Sequence, residues 1–104
     1  MRQLSVEQSR DWLLDAERPQ LLDCRQPGEW DVCHLEGAVL IPLGELAERA
    51  NELDEGRPVL VYCHHGVRSI NGAMILESLG FTADSMRGGI EAWSTRIDPR
   101  VARY

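Results

Sequence analysis

No lysine occurs anywhere in the 104 residues: all eleven basic side chains are arginine, and seventeen acids outnumber them for a net charge of −6. A lysine-rich surface for a phosphate backbone is therefore missing, which argues against nucleic acid as a partner. No apolar run approaches the ~20 residues needed to cross a bilayer. The amino-terminal stretch MRQLSVEQSRDWLLDAERP carries acids throughout and lacks the apolar segment of about 7 to 15 residues that marks a secretion signal. Neither membrane nor export is expected, and the reading is of a cytoplasmic protein whose thiols stay reduced. Cysteine is sparse as well. Cys24, Cys33 and Cys63 are odd in number, so at least one is a free thiol, and their spacing is not that of a disulfide scaffold. There is no C-x-x-C pair, and the neighbouring His64 and His65 lack zinc-like spacing to any cysteine, so neither metal nor cofactor is expected.

What is present is an ordinary globular balance, 43% hydrophobic and 27% charged, in a length that suits one domain over residues 1–104. Ser5 and Gln8 form a capping-box pattern that predicts a first helix from about Val6 to Ala16, closed before Pro19, with a short strand near Leu4 ahead of it. LLDC at 21–24 and AVLI at 38–41 read as strands covered on both faces. Leu43, Leu46, Ala47, Ala50 and Leu53 trace one face of an amphipathic helix. PVLVYC gives the strongest strand signal, SINGAMILESLG a helix closed by Gly80, TADSM a weak strand and GGIEAWSTR a last helix before the tail IDPRVARY. Strands alternating with helices predict an α/β fold: a mostly parallel sheet of about five strands with helices on both faces. In such sheets sites form at the carboxyl ends of strands, and Cys63 stands at one.

A thiol becomes a good nucleophile when ionised, and a helix N-terminus or a nearby cation favours the thiolate. The run CHHGVRS offers both: Cys63 precedes a helix starting near Arg68 or Ser69, and Gly66 permits a turn in which successive N–H groups converge on one anion. That cradle requires a sulfur within reach of solvent and amides turned toward it. It does not by itself say which anion it holds.

Three stretches, in order, resemble the rhodanese-like family of sulfurtransferases over nearly the whole chain. LLDCRQPGEWDVCHLEGAVLIPL is similar to the family's first signature, VLVYCHHGVRS to its active-site loop and RGGIEAW to its closing motif. The resemblance implies a cysteine that takes the outer sulfur of a donor such as thiosulfate and carries it as a persulfide to cyanide or another thiol. It makes Cys63 the nucleophile and gives donor binding to the backbone of His64, His65, Gly66, Val67, Arg68 and Ser69, with Arg68 bracing the loop and adding positive potential. Four residues separate Cys63 from Arg68, as in sulfurtransferases, whereas phosphatases and arsenate reductases resembling this fold have five and a wider cradle. A phosphatase-like or arsenate-reductase-like enzyme and a non-catalytic interaction module of the same fold are the competing readings. The implied partners are a small sulfur-containing anion and a thiol or protein acceptor.

Around the loop, Asp23 and Arg25 end a strand expected beside that of Cys63, where an ion pair would support the loop from behind. Cys24 ends the same strand, in range of a disulfide or a persulfide hand-over with Cys63 if their side chains face each other. His34, Trp30 and Trp93 read as packing residues. One departure stands out: where the family has glycine before histidine, this chain has Cys33 before His34. If that position takes positive φ, Cys33 carries backbone strain.

Overall fold

A computed structural model describes residues 1–104. Five strands, β1 (Gln3–Leu4), β2 (Gln20–Asp23), β3 (Val39–Leu40), β4 (Val59–Tyr62) and β5 (Ala83–Met86), form one sheet in the order β1-β5-β4-β2-β3. Every pairing is parallel. The helices are α1 (Val6–Leu13), α2 (Pro27–Val32), α3 (Leu46–Arg49), α4 (Arg68–Ser78) and α5 (Gly89–Arg96). The expected α/β architecture is thus the observed one.

Central β4 is wholly buried, and its residues alternate between two cores. Val59 and Val61 join Leu22, Ile41, Leu46, Ala73 and Leu76 under α3 and α4. Leu60 and Tyr62 join Val6, Met86 and Ile90 under α1 and α5. Burying such side chains contributes roughly 1.5–3 kcal/mol each. β5 is buried too, although it carries Asp84. That acid is satisfied from outside the sheet, since the Arg2 amide and guanidinium each donate to its carboxylate at 2.7 Å.

Several boundaries differ from the sequence reading. α1 stops at Leu13, short of Ala16, because the Asp15 carboxylate accepts from the Glu17 amide at 2.8 Å and closes a turn instead of continuing the helix. The segment expected as one amphipathic helix has its α part only at Leu46–Arg49, flanked by 3₁₀ turns at Leu43–Glu45 and Ala50–Glu52. Three residues per turn align Leu43 with Leu46 and Ala50 with Leu53, which keep the apolar face, while the same tighter winding turns Ala47, expected on it, out to solvent. α2 was not foreseen. Pro27 occupies the first turn, where a missing N–H costs nothing, and Gln26 with Glu29 forms a capping box.

The chain leaves β2 toward β3 and leaves β4 toward β5, in opposite directions across the sheet. The crevice of such a sheet opens where those directions diverge, at the carboxyl ends of β2 and β4. Cys24 and Cys63 follow those two strand ends.

Candidate active site

Between the end of β4 and the start of α4 the chain turns within Cys63–Val67. Gly66 makes the turn with φ +96°, and a Cβ there would come within 2.8 Å of the Gly88 nitrogen, so only glycine fits. The turn aims two amides at the Cys63 sulfur: Gly66 N–H donates to Sγ at 3.1 Å and Ser69 N–H at 3.3 Å. The N-cap residue of α4, Val67, has no side-chain acceptor, and the sulfur takes that role for the first turn. The Ser69 hydroxyl lies 3.5 Å from Sγ and 2.7 Å from the Ser85 hydroxyl, so a proton donated by Ser85 leaves that of Ser69 for the sulfur. The amides of His65, Val67 and Arg68 have no acceptor within the protein.

These contacts decide which cysteine ionises. The Cys63 thiol is drawn down to about 5, first by the neighbouring Cys24 thiol, with burial opposing and the Ser69 hydroxyl and the Ser69 and Gly66 amides assisting. The Cys24 thiol is pushed up, first by the neighbouring Cys63 sulfur and then by burial. We assign the charge to Cys63 because the amides face its sulfur; Cys24 Sγ lies 3.5 Å from the Tyr62 carbonyl, which favours the protonated form.

Other parts of the fold hold the loop in place. Ile90 N–H donates to the Cys63 carbonyl at 2.9 Å and Glu91 N–H to the His64 carbonyl at 3.1 Å, so the first turn of α5 clamps the loop. Any side chain at Gly89 would strike those two carbonyls. Arg68 reaches across to Glu29 of α2 and donates to both carboxylate oxygens, at 2.6 and 2.8 Å. Asp23 and Arg25 form a fully buried pair at 2.7 Å. Arg25 also donates to the Cys33 carbonyl at 2.7 Å and to the Tyr104 hydroxyl at 2.8 Å. Tyr104 in turn donates to Glu29 at 2.7 Å and stacks on His64, with ring centroids 3.8 Å apart and planes 8° apart. His64 stacks on His65 on its other side, its Nε2 is buried without a partner, and burial, then His65, lowers its pKa.

The structure revises four expectations. Arg68 braces the loop, but Glu29 cancels its charge, and it is not among the leading influences on the Cys63 thiol. Of the loop amides from His64 to Ser69, those of Gly66 and Ser69 reach the sulfur, while those of His64, His65, Val67 and Arg68 do not. Cys33 adopts φ −165°, ordinary extended backbone, so no strain arises there. Cys63 is 1% exposed, so the sulfur within reach of solvent that the cradle requires is not found with the loop as it stands, and access to it depends on the rim opening. His65 and Val67 are exposed above it, and the aromatic stack on His64 covers one side.

His34 stacks on Trp30 at 3.7 Å and its Nδ1–H donates to the Trp30 carbonyl, a packing role as read from sequence. A groove of about 770 Å³ lined by Leu13, Pro19, His34, Leu35, Trp93 and Val101 shares no residue with the Cys63 loop. Sequence reasoning missed Glu29, Ser85, Gly89 and Tyr104 as site neighbours. RGGIEAW was visible as a motif, but only its bonds to the loop carbonyls give it a task.

Residues 5–96 match the family model described as a rhodanese-like domain. The chain is 36% identical over 104 residues to a probable adenylyltransferase/sulfurtransferase, MoeZ, of Mycobacterium tuberculosis; the match takes in 97% of this chain but only 26% of that relative, so the chain spans about a quarter of its length. A thiosulfate sulfurtransferase, GlpE, of Shewanella oneidensis is 33% identical over 88% of this chain and 91% of its own. The crystal structure of a rhodanese-like domain protein from Staphylococcus aureus superposes with a TM-score of 0.86 at 25% identity, covering 100% of this chain and 99% of that one. Fold and sequence agree across almost the whole length: the chain belongs to the rhodanese-like sulfurtransferase family.

Proposed function

We propose that the protein, as one domain over residues 1–104, moves a sulfane sulfur from a donor such as thiosulfate to a thiophilic acceptor, cyanide or a thiol, through a persulfide on Cys63. The observation that carries this reading is the pair of amides, Gly66 and Ser69, donating to the Cys63 sulfur. The Cys63 thiolate attacks the outer sulfur of thiosulfate; the S–S bond of the donor breaks, sulfite leaves with the electron pair, and Cys63 keeps the sulfur as a persulfide anion. An acceptor such as cyanide then attacks that outer sulfur and leaves as thiocyanate, restoring the thiolate.

The loop amides act as preorganised donors for negative charge, first on the thiolate and then on the outer sulfur. The free amides of His65, Val67 and Arg68 are available to the donor and to the displaced charge, with His64 closing one wall. Asp23 and Arg25 support the site from β2. Because Cys63 lies on the floor, the donor must be slender at its reacting end, or the rim must open. The naming of a relative of nearly equal length as a thiosulfate sulfurtransferase adds support.

Intact mass spectrometry after exposure to thiosulfate tests the reading. One added sulfur is expected, removed by cyanide and absent in Cys63→Ser. A protein that takes up no sulfur from thiosulfate or from glutathione persulfide overturns it. Cys63-dependent hydrolysis of a phenyl phosphate would favour the phosphatase alternative instead.

A further inference from the structure

The sulfur-transfer scheme uses one cysteine and leaves a second, fully buried, beside it. Cys24 follows β2 as Cys63 follows β4, and the register Asp23↔Tyr62 sets the two cysteines side by side as the next pair. The ladder continues there, since Cys24 N–H donates to the Tyr62 carbonyl at 3.2 Å. Both side chains belong to the core under α3 and α4, so they lie on the same face of the sheet. Neighbouring strands are ~4.8 Å apart, within the Cα separations that a disulfide spans. The two thiols also act on each other's ionisation, Cys63 lowered and Cys24 raised.

We propose that Cys24 is a second catalytic thiol, which attacks the inner sulfur of the Cys63 persulfide, forms a Cys24–Cys63 disulfide and expels the carried sulfur as hydrosulfide. The proposal rests on the persulfide reading and extends it from sulfur transfer to sulfane-sulfur reduction. In the step the Cys24 S to Cys63 S bond forms and the bond from Cys63 S to the outer sulfur breaks. The bonding pair and the Cys24 proton leave with the outer sulfur as HS⁻. The outer sulfur is reduced and the cysteine pair oxidised, so no outside oxidant enters. A small-molecule or protein dithiol restores the two thiols for another cycle.

The surroundings suit that step. In the proposed step the outer sulfur extends toward the loop, whose His65, Val67 and Arg68 amides have no acceptor within the protein, while Cys24 approaches from the neighbouring strand. Loading Cys63 moves the negative charge one atom outward, away from Cys24. An acceptor entering from solvent competes with Cys24 for the same persulfide but attacks its outer sulfur. The balance between transfer and reduction is therefore set by how fast an acceptor arrives.

The test loads fully reduced Cys33→Ser protein with one equivalent of thiosulfate, without reductant or acceptor. Cys33 is half-buried and outside the loop, and its replacement removes a stray partner for disulfides. Expected are release of hydrosulfide, one per chain, and a Cys24–Cys63 disulfide in the peptide map. Cys24→Ser and Cys24→Ala in the same background are expected to load sulfur and hold it at least about tenfold longer, with no hydrosulfide released. If the Cys24-containing protein holds its sulfur as long as the variants and yields no disulfide, the inference falls while the transfer reading stands. If none of the proteins loads sulfur, from thiosulfate or from glutathione persulfide, both fall together. Should both variants fail to fold, the disulfide map of the Cys24-containing protein decides alone.

Discussion

The carboxyl ends of β2 and β4 are neighbours in one sheet, each followed by a buried cysteine, yet they are built for opposite purposes. After β4 the chain turns through a left-handed glycine and points two amides at Cys63. After β2 and Cys24 comes Arg25, whose guanidinium is bound to Asp23 and not to Cys24. Burial alone raises a thiol's pKa, and it acts on both cysteines in that direction. What separates them is the orientation of backbone donors. The resting thiolate in this fold comes from a loop that fails to continue the sheet, while the neighbouring end holds a satisfied ion pair and a Cys24 that keeps its proton until Cys63 carries a sulfur.

If the β2 end is scaffold, the largest effect should come from breaking its ion pair. Asp23→Asn leaves the Arg25 charge buried without its carboxylate, which should cost about 3–5 kcal/mol. Urea unfolding measures it, and a loss under about 1 kcal/mol would mean that Tyr104 and the Cys33 carbonyl satisfy Arg25 unaided. On the β4 side, Gly66→Ala forces a side chain against the Gly88 nitrogen and a residue into positive φ. Losing the aimed amides should slow persulfide formation about 10²- to 10³-fold, as for other preorganised donors. Single-turnover loading with thiosulfate reads this directly; an unchanged rate would show that the amides are not what activates Cys63.

The pH dependence sharpens the contrast further. Cys63 has its pKa lowered to about 5, so its thiolate is present above that value and is lost as pH falls through it. Alkylation by iodoacetamide should be flat from pH 6.5 to 8 and fall roughly tenfold by about pH 4. Cys24 is shifted upward, so in Cys33→Ser protein raising the pH to 8 should recruit no second fast thiol. A Cys63 rate still climbing above pH 7, with a midpoint near that of an ordinary thiol, would contradict the assignment of the charge.

The two ends were not equally readable in the sequence. Cys63, Gly66, Arg68 and Ser69 lie within seven consecutive residues, and turn and helix chemistry act over such a span, so the cradle could be inferred before any fold was known. The same holds for the apolar strands and the parallel order that follows from strands alternating with helices. What escaped were pairings between distant segments: Arg68 with Glu29, Ser69 with Ser85, and the loop carbonyls with the amides of α5. No local pattern specifies these. α2 was a different miss, since its capping box is local but the Pro27-Gly28 pair reads as a turn. The strain expected at Cys33 failed because it assumed a backbone conformation that the chain does not adopt.

Tyr104 joins the two ends, and its removal should produce the smallest effect. Its hydroxyl takes a hydrogen bond from Arg25 on the β2 side and gives one to Glu29, while its ring lies flat on His64 of the loop. A stacked aromatic pair contributes roughly 0.5–1.5 kcal/mol. Tyr104→Ala should therefore open the rim over Cys63 and speed alkylation by a bulky maleimide about two- to tenfold. Iodoacetamide, slender enough to reach a floor-level sulfur, should gain less. Tyr104→Phe keeps the stack and drops the hydrogen bonds, so it separates the two contributions: an effect as large as that of alanine assigns the cover to the Arg25 and Glu29 bonds, and no effect assigns it to the ring. Equal gains for both reagents in the alanine variant would point to a change in the thiolate itself and not in its access, and Tyr104 would then belong to the electrostatics of the site.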